Sequence, residues 1–341
     1  MVSIIIPCRD ERRFIEKCLL SIIANDYPKE SLQVLVVDGM SEDGTREILN
    51  QFSGKYPFIK MLDNPKKIVP VALNIGIKQA RGNVIIRMDA HNVYGKDYIS
   101  KCVKYLRKYN IDNVGGICIT LPGRNTLLAQ SIALALSHPF GVGNAHFRIG
   151  LKGPKYVDTV PFGCYKREVF EKIGLFDEDL VRNQDDELNV RLQRNGGKIL
   201  LVPEIVSYYY ARDSLEKLWK MYFQYGYFKP LVVQKVGAVL TWRQLIPTIF
   251  VGTLTLVGLL SILSKYFFWL FLLIIGLYLS CNLVFSLAIA LKKGPNLLLV
   301  LPISFATLHF SYGLGYVKGL WNFVIRNKYL NKTIKDAPIT R

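Results

Sequence analysis

The tripeptide Asp89-Ala90-His91 places an acid and an imidazole two residues apart, a spacing that could hold a divalent cation. It follows closely on the apolar run 84–86, which has the length of a β-strand. Because side chains alternate along a strand, Asp89 and His91 would point to the same face at its carboxyl end. Acids at strand ends also serve as ordinary caps and turn formers. The tripeptide alone therefore leaves a metal site and a simple turn as alternatives.

Two other acidic segments also follow apolar runs of strand length. Residues 8–11 come after the run 2–6, and Asp38 comes after the run 32–37. In a parallel sheet such ends lie at one edge, where open α/β sheets bind their ligands. Carboxylates gathered there repel one another unless a cation or a ligand with hydrogen-bond donors lies among them. Together with residues 89–91, these segments favour a binding site.

Three adjacent acids, Asp185, Asp186 and Glu187, open a predicted helix that ends before Gly196. Acids in the first turn of a helix stabilise it through the helix dipole, which is a purely structural explanation. One of them could instead face the ligand site and act as a base. The pattern alone leaves both explanations open.

Strand-length apolar runs alternate with segments of helical periodicity through residues 1–202. This alternation predicts an α/β fold with a mostly parallel sheet, right-handed crossovers and helices on both faces. Two apolar runs, 2–6 and 32–37, are nearly continuous, as is typical of strands buried on both faces.

The composition indicates two environments. Of the 341 residues, 50% are hydrophobic and 21% are charged, and the formal net charge is +18. A soluble domain followed by a membrane part explains this mixture. A basic excess of this size requires an anionic partner. We expect anionic membrane lipid and not nucleic acid, because no nucleic-acid-binding motif accompanies the charge.

The six cysteines are scattered through the chain without metal-ligand spacing. They predict reduced thiols in a reducing cytoplasm. The first residues do not form the pattern of a signal peptide, so we expect the catalytic domain to be cytoplasmic.

Three uncharged stretches predict membrane segments at 245–263, 266–291 and 296–317. The first two are long enough for a hydrocarbon core of about 30 Å and would form a hairpin. The third could span, re-enter or lie flat, and we expect about three segments in a multi-pass cell-membrane protein. Before them, residues 214–228 form a predicted helix, ended by Pro230, that either lies in the membrane interface or packs on the soluble domain.

The predicted organisation has four parts. A soluble α/β domain covers residues 1–211, and amphipathic interfacial helices cover 212–243. Transmembrane segments follow at 244–325, with a basic tail at 326–341.

Four motifs in order resemble those of the family 2 glycosyltransferases, whose fold is called GT-A. Within the family, the chain is most similar to membrane-attached bacterial exopolysaccharide transferases of the succinoglycan type. The motifs are Pro7-Cys8-Arg9-Asp10-Glu11, residues 37–45 (VDGMSEDGT), Asp89-Ala90-His91 and residues 184–192 (QDDELNVRL). They correspond to the family patterns P-x-x-N-E, V-D-D-G-S-x-D-G-T, D-x-D and E-D-x-x-L-x-x-R-L.

The chain departs from these patterns at a few positions. His91 stands where the family has the last Asp of D-x-D, and Gln184 replaces a Glu. Imidazole is a softer ligand than carboxylate and suits Mn²⁺ better than Mg²⁺, although His91 could instead contact a phosphate. Residues 224–228 keep only part of the Q-x-x-R-W motif of processive synthases, so we do not expect a processive polymerase.

The resemblance implies an inverting, metal-dependent hexosyltransferase that uses a nucleoside diphosphate sugar, with UDP expected. Asp185 would be the catalytic base, with Asp186 as the second candidate. Asp89 and His91 would hold Mn²⁺ or Mg²⁺. The residues expected to contact the nucleotide sugar are Pro7, Cys8, Arg9, Glu11, Asp38 and Asp89. Of these, Asp38 would accept a hydrogen bond from the nucleobase.

The same resemblance implies a lipid-linked saccharide acceptor at the cytoplasmic membrane face, in polysaccharide or glycoconjugate synthesis. Residues 141–148 are predicted to border the acceptor. Two alternatives remain open at this point. One is a polyprenyl- or dolichyl-phosphate sugar transferase, and the other is a non-catalytic nucleotide-sugar-binding membrane subunit.

Overall fold

The computed structural model of the protein describes residues 1–237 and 244–326. It divides into two compact units. The first, here called the sheet unit, comprises Met1–Ile119 and His146–Tyr210. The second, called the helical unit, comprises Thr120–Ala145 and Ala211–Arg341. The predicted basic tail lies outside the described residues, except for Arg326.

Nine strands form one sheet in the described part of the chain, in the order β3-β2-β1-β4-β8-β6-β9-β5, with β7 paired to β9. Their bounds are β1 Val2–Cys8, β2 Leu32–Asp38, β3 Ile59–Asp63, β4 Val84–Arg87, β5 Asn92–Tyr94, β6 Asn113–Leu121, β7 Lys155–Tyr156, β8 Cys164–Lys166 and β9 Ile199–Tyr210.

Only one half of the sheet is parallel, so the expectation of a mostly parallel sheet is wrong. Strands β1 to β4 pair in parallel, with Cys8 opposite Asp38. The pairs β4–β8, β6–β8, β5–β9 and β7–β9 are antiparallel. The alternation of strands and helices predicts parallel pairing correctly up to β4. Beyond it, strands such as β5 and β8, with three residues each, are too short to leave a periodic pattern.

The parallel half is buried on both faces, as its apolar runs predict. Ile4, Ile6, Val34 and Val36 all have an exposed fraction of 0%. One close approach requires glycine: a Cβ at Gly76 would overlap the Ile5 side chain. The helix that carries Gly76 therefore packs directly on β1 at Ile5.

The α-helices include the one predicted to open with residues 185–187 and to end before Gly196, and two short ones, at 139–142 and 146–149, that the sequence does not predict. In the sheet unit they are α1 Ile15–Ile23, α2 Thr45–Lys55, α3 Val69–Gln79, α4 Tyr98–Lys108, α7 His146–Ile149, α8 Arg167–Ile173 and α9 Gln184–Arg194. In the helical unit they are α5 Leu127–Ala135, α6 Pro139–Val142, α10 Leu215–Val236, α11 Ile246–Leu260, α12 Lys265–Lys293 and α13 Leu301–Gly319.

Helix α10 continues through Pro230, so the prediction that Pro230 ends it is wrong. Proline removes one backbone hydrogen bond, and this loss is offset here by close packing on α13. A Cβ at Gly226 would overlap the Tyr312 carbonyl, and one at Gly315 would overlap the Phe223 carbonyl. The two backbones approach this closely because glycines lie at the crossing. The location of α10 in a membrane interface stays a prediction.

Among the described helices, α12 is the one that is long and apolar enough to cross a membrane. Only 11% of its most apolar 18-residue window is buried. Helix α11 has 15 residues, which at 1.5 Å per residue is short of a hydrocarbon core of about 30 Å. The prediction of about three spans is therefore not confirmed.

Candidate active site

The loops after β1 and β2 are joined by hydrogen bonds. The Gly39 amide donates to the Cys8 carbonyl over 2.7 Å. The Asp10 amide donates to the Ser41 hydroxyl over 2.7 Å. Asp10 has a positive φ of 48°, which polar turn residues tolerate. The two motifs at these strand ends, which are 30 residues apart in sequence, therefore form one continuous wall.

Asp38 is enclosed by donors from its own chain. Its carboxylate accepts from the Ser41 amide at 3.0 Å, from the Ser41 hydroxyl at 2.5 Å and from Arg46 at 2.7 Å. The exposed fraction of its side chain is 0%. Arg46 also pairs with Asp63 at 2.8 Å, and these hydrogen bonds raise the pKa of its guanidinium. We call Asp38, Ser41 and Arg46 the Asp38 cluster.

Strand β4 ends at Arg87, so a turn and not strand alternation sets the direction of Asp89. The backbone of Asp89 is fixed by Tyr94, whose hydroxyl accepts from the Asp89 amide at 2.7 Å and lies 3.3 Å from the Asp89 carbonyl. Tyr94 is buried in β5. The turn is thus held from its far side, and the Asp89 carboxylate points back to β4.

Arg87 connects Asp89 to Asp185. One terminal nitrogen donates to Asp89 at 3.1 Å and the other donates to Asp185 at 3.1 Å. Burial lowers the pKa of the Arg87 guanidinium, but the charges of the two carboxylates outweigh it and raise the pKa above its ordinary value. Arg87 therefore stays positive. We call these three residues the Arg87 cluster.

Sequence reasoning missed Arg87 as a functional residue. Its signal is a basic residue at the end of an otherwise apolar strand, two positions before Asp89. A charge in such a place needs a partner, which points to acids near the strand end. The pattern does not reveal that one of these acids is Asp185, 98 residues further along the chain.

Helix α9 brings Asp185 to this place. The helix begins after Asn183, which adopts a left-handed conformation with φ of 60°. Arg191 anchors the helix through two bonds of 2.7 Å to Glu187 and one of 2.8 Å to the Leu175 carbonyl. The motif arginine thus has a positioning role. Of the three acids at the start of α9, Glu187 pairs with Arg191 and Asp185 reaches Arg87.

His91 is oriented by Glu11, whose carboxylate lies 3.2 Å from Nδ1 of the imidazole. A histidine that donates one ring nitrogen to a carboxylate presents the other nitrogen as a ligand. The binding of a divalent cation by Asp89 and His91 stays a prediction. Within residues 1–237 and 244–326, no group of three His, Cys, Asp or Glu side chains forms a complete metal set.

The first motif lies partly inside the sheet. Pro7 and Cys8 belong to β1, and Cys8 is buried. The Arg9 side chain packs over Gly39, where an added Cβ would lie 3.1 Å from it. Glu11 is the residue of this segment that reaches the Asp89-Ala90-His91 turn, through His91.

Comparison with known proteins identifies the family of the chain. The model of the family described as "Glycosyl transferase family 2" matches residues 3–174, slightly more than half of the chain. A relative from Methanococcus voltae is 31% identical over 327 residues, which are 94% of this chain and 97% of the relative. Its name is dolichyl N-acetyl-alpha-D-glucosaminyl phosphate 3-beta-D-2,3-diacetamido-2,3-dideoxy-beta-D-glucuronosyltransferase.

A second relative is the succinoglycan biosynthesis protein ExoA of Rhizobium meliloti. It is 27% identical over 322 residues, which are 94% of this chain and 95% of the relative. Among solved structures, the mannosyltransferase PcManGT from Pyrobaculum calidifontis, in complex with GDP-Man and Mn²⁺, matches with a TM-score of 0.59 at 19% identity. The match covers 94% of this chain and 87% of PcManGT. This likeness confirms a glycosyltransferase fold of the GT-A kind.

Proposed function

We propose that this chain, which belongs to glycosyl transferase family 2, transfers a sugar from a nucleoside diphosphate sugar to a lipid-linked saccharide at the cytoplasmic face of a membrane. The family is shown by the match over residues 3–174 and by the relative that is 31% identical over 94% of the chain. The donor, the acceptor and the mechanism are the proposed parts. They are supported by the geometry of the Arg87 cluster.

The observation that carries the proposal is the bridge from Asp89 through Arg87 to Asp185, with 3.1 Å on each side. Asp89 of the Asp89-Ala90-His91 motif and Asp185 of the motif on α9 thus lie at the two ends of one guanidinium. A sugar donor and an acceptor hydroxyl that meet at this point would have one carboxylate on each side. Such a layout suits a displacement with a base on the acceptor side.

In the proposed reaction, the acceptor hydroxyl oxygen attacks the anomeric carbon while Asp185 takes its proton. The bond between that carbon and the diphosphate oxygen breaks, and the nucleoside diphosphate leaves with the electron pair. A single displacement inverts the anomeric centre. Asp185 is half-exposed with 33% of its side chain accessible, so an acceptor can reach it.

Asp89 and His91 would hold the divalent cation, Mn²⁺ or Mg²⁺, which would offset the negative charge that develops on the leaving diphosphate. Glu11 would orient His91 for this task, as carboxylates that accept a hydrogen bond from a metal-binding histidine do. Residues 7–11 and Asp38 would form the wall beside the nucleotide.

Two observations support a lipid-linked acceptor. The name of the Methanococcus voltae relative describes an acceptor built on dolichyl phosphate, and the match extends over 97% of that protein. Helix α12 is exposed, apolar and long enough for attachment to a membrane. Lys292 and Lys293 close this helix, which favours a cytoplasmic location for its C-terminal end. The ExoA relative suggests polysaccharide synthesis.

We further propose that residues 1–211 contain the donor site and that residues 212–325 attach the chain to the lipid surface. Because residues 120–145 belong to the helical unit, the donor site would lie within 1–119 and 146–210. Anionic lipid would be the partner of the basic residues.

The test compares Asp185→Asn with Asp186→Asn in the full-length protein. A panel of nucleotide sugars is offered with either a polyprenyl phosphate or a polyprenyl-diphosphate-linked sugar as acceptor. We expect transfer to the lipid-linked sugar, a loss of kcat of roughly 10²–10⁴-fold in Asp185→Asn and a much smaller loss in Asp186→Asn.

Three outcomes would contradict parts of this proposal. Full turnover by Asp185→Asn would remove Asp185 as the base. Transfer to polyprenyl phosphate alone would replace the acceptor by a lipid phosphate. Binding of nucleotide sugars without transfer to any acceptor would indicate a non-catalytic subunit.

A further inference from the structure

Arg148 stacks on an aromatic ring that also contacts His91. It lies on α7, and its guanidinium carbon is 5.1 Å from the centre of the Tyr209 ring. The edge of one ring meets the face of the other in the Tyr209–His91 pair, with 5.7 Å between ring centres. The guanidinium of Arg148 and the imidazole of His91 are therefore no farther apart than the sum of these two distances.

Tyr209 is held in place by the sheet. It lies in β9, where its Cα pairs with that of Asn92, the residue directly after His91. Only 6% of Tyr209 is exposed. A guanidinium that lies over a ring keeps its N–H donors in its own plane, so they point to groups beside the ring. Tyr209 thus serves as a rigid platform that sets the direction of Arg148.

The charge of Arg148 also reaches the part of the sheet beside Asp89. The thiol of Cys118 in β6 is buried, and burial raises its pKa. The positive charge of Arg148 lowers this pKa and the negative charge of Asp89 raises it. Both charges act on one thiol, so Arg148 and Asp89 lie near the same part of β6.

We propose that Arg148, stacked on Tyr209, is a phosphate-binding residue that shares its ligand with His91. The inference rests on the proposed function for the presence of a phosphate-bearing ligand. It adds a cation from α7, which neither the four sequence motifs nor the comparisons assign to the site.

The dimensions suit a diphosphate. A hydrogen bond of about 2.8 Å from the arginine, the diphosphate and a cation that His91 would hold together span on the order of 10 Å. The upper limit on the separation of Arg148 and His91 is close to this length, so a single diphosphate is long enough to contact both the arginine and the cation. Arginine presents a planar set of donors that matches phosphate oxygens, which a lysine at this position would not.

Two ligands carry this chemistry. One is the diphosphate of the sugar donor, and the other is the phosphate next to the lipid of the acceptor. Both present the oxygens of a tetrahedral phosphate to the guanidinium. Helix α7 overlaps the end of the segment 141–148, which is predicted from the sequence to border the acceptor. An experiment can separate the two sources because one ligand is water-soluble and the other carries an isoprenoid chain.

The experiment uses the purified full-length protein in detergent and measures binding by calorimetry. The probes are inorganic pyrophosphate with Mg²⁺ and farnesyl phosphate, with farnesol as the probe that lacks the phosphate. The variants are Arg148→Gln and Arg148→Lys. The matched control is Lys152→Gln, which removes the same charge from an exposed position four residues further along.

We expect Arg148→Gln to weaken the binding of at least one phosphate probe about tenfold, as the loss of a charge-assisted hydrogen bond predicts. Arg148→Lys should bind with intermediate affinity, and Lys152→Gln should change affinity less than twofold. A loss for pyrophosphate alone identifies the donor diphosphate. A loss for farnesyl phosphate alone identifies the acceptor. If both probes are weakened, the residue serves both.

Equal binding of both probes by wild type and Arg148→Gln would overturn the phosphate-binding role and leave the proposed function in place. Wild-type protein that binds neither probe would overturn both. A thermal unfolding midpoint recorded for each variant separates lost binding from lost folding. If Arg148→Gln does not fold, the comparison of Arg148→Lys with Lys152→Gln decides.

Discussion

The sheet unit contains two clusters of acids at the carboxyl ends of its parallel strands, and they use their carboxylates differently. In the Asp38 cluster, one buried carboxylate receives three hydrogen bonds from its own chain. In the Arg87 cluster, two carboxylates share one guanidinium, and their side chains are 23% and 33% exposed. The first cluster is nearly saturated, whereas the second retains free acceptor capacity toward solvent.

The difference separates structural from chemical roles among residues of the same type. A carboxylate has about four acceptor sites, and Asp38 has used three of them without any ligand. Asp89 and Asp185 can still accept from a ligand or a metal. We infer that the Asp38 cluster holds the loops together and that the Arg87 cluster performs the chemistry. Substitutions in the two clusters should therefore affect different measurements.

The largest effect is expected for Arg87→Met. Without the guanidinium, Asp185 loses the contact that orients it, and misplacement of a reacting group by about 1 Å costs on the order of 10²-fold in rate. We expect kcat for sugar transfer to fall by at least that factor, with a smaller change in the unfolding midpoint because both carboxylates can be hydrated. Steady-state kinetics and thermal unfolding measure the two quantities.

The matched control is Arg167→Met, since Arg167 is a half-buried arginine that donates to the carbonyls of Gly82 and Ala80. It should lower stability and leave kcat nearly unchanged. The double variant Arg87→Met/Asp185→Asn should be little slower than Asp185→Asn alone, because Arg87 acts through Asp185. Fully additive losses in kcat would show that the two residues act separately, which would contradict a joint role of Arg87 and Asp185.

A smaller effect is expected for Asp38→Asn, and on a different quantity. The side-chain NH₂ group that this substitution introduces would face the N–H and O–H donors of Ser41 and Arg46. Hydrogen bonds to a charged group contribute roughly 1.5–3 kcal/mol to the free energy of unfolding. We expect the unfolding midpoint of the sheet unit to fall by about 4–8 °C. Differential scanning fluorimetry on the full-length protein measures it.

The control for this variant is Asp97→Asn, which removes an exposed ion pair with Lys101. Surface pairs of this kind contribute little, so its midpoint should hardly move. The contrary outcome for Asp38→Asn is an unchanged midpoint together with weaker binding of the nucleotide sugar. That result would assign to Asp38 the contact with the nucleobase that the family resemblance implies.

How far the sequence could predict these clusters depends on the distance between their members. The Asp38 cluster lies within nine consecutive residues, and the turn 38–46 is visible in the motif. The position of Asp89 after an apolar run is also visible. Its link to Asp185 depends on Arg87 and on the anchoring of α9 by Arg191, and no local pattern contains these contacts.

The sheet shows the same limit. Continuous apolar runs predicted β1, β2 and β4 and their parallel pairing, because burial on both faces leaves a strong pattern. Strand β5 has three residues and β9 has twelve, and their antiparallel pairing depends on a return of the chain over about 100 residues. This long-range pairing brings Tyr209 beside His91. Because Tyr209 is also the ring on which Arg148 lies, the position of Arg148 could not be predicted from local sequence.

The smallest expected effect concerns Asp43, in the loop beside the Asp38 cluster. Burial raises the pKa of its carboxyl, but hydrogen bonds from Thr45 and Arg12 outweigh it and hold the pKa below its ordinary value. Such a carboxylate stabilises the fold above the unfolded pKa of about 4, and the contribution is lost as pH falls through the lower folded pKa. We expect Asp43→Asn to cost about 1 kcal/mol at neutral pH, similar to the loss of a helix cap.

The difference in unfolding midpoint between wild type and Asp43→Asn should therefore be constant from pH 7 to 5 and shrink below pH 4. A gap between wild type and Asp43→Asn that widens toward acid pH would mean that Asp43 is protonated in the folded protein. The loop beside the Asp38 cluster would then depend on a neutral hydrogen bond from Asp43 and not on its charge.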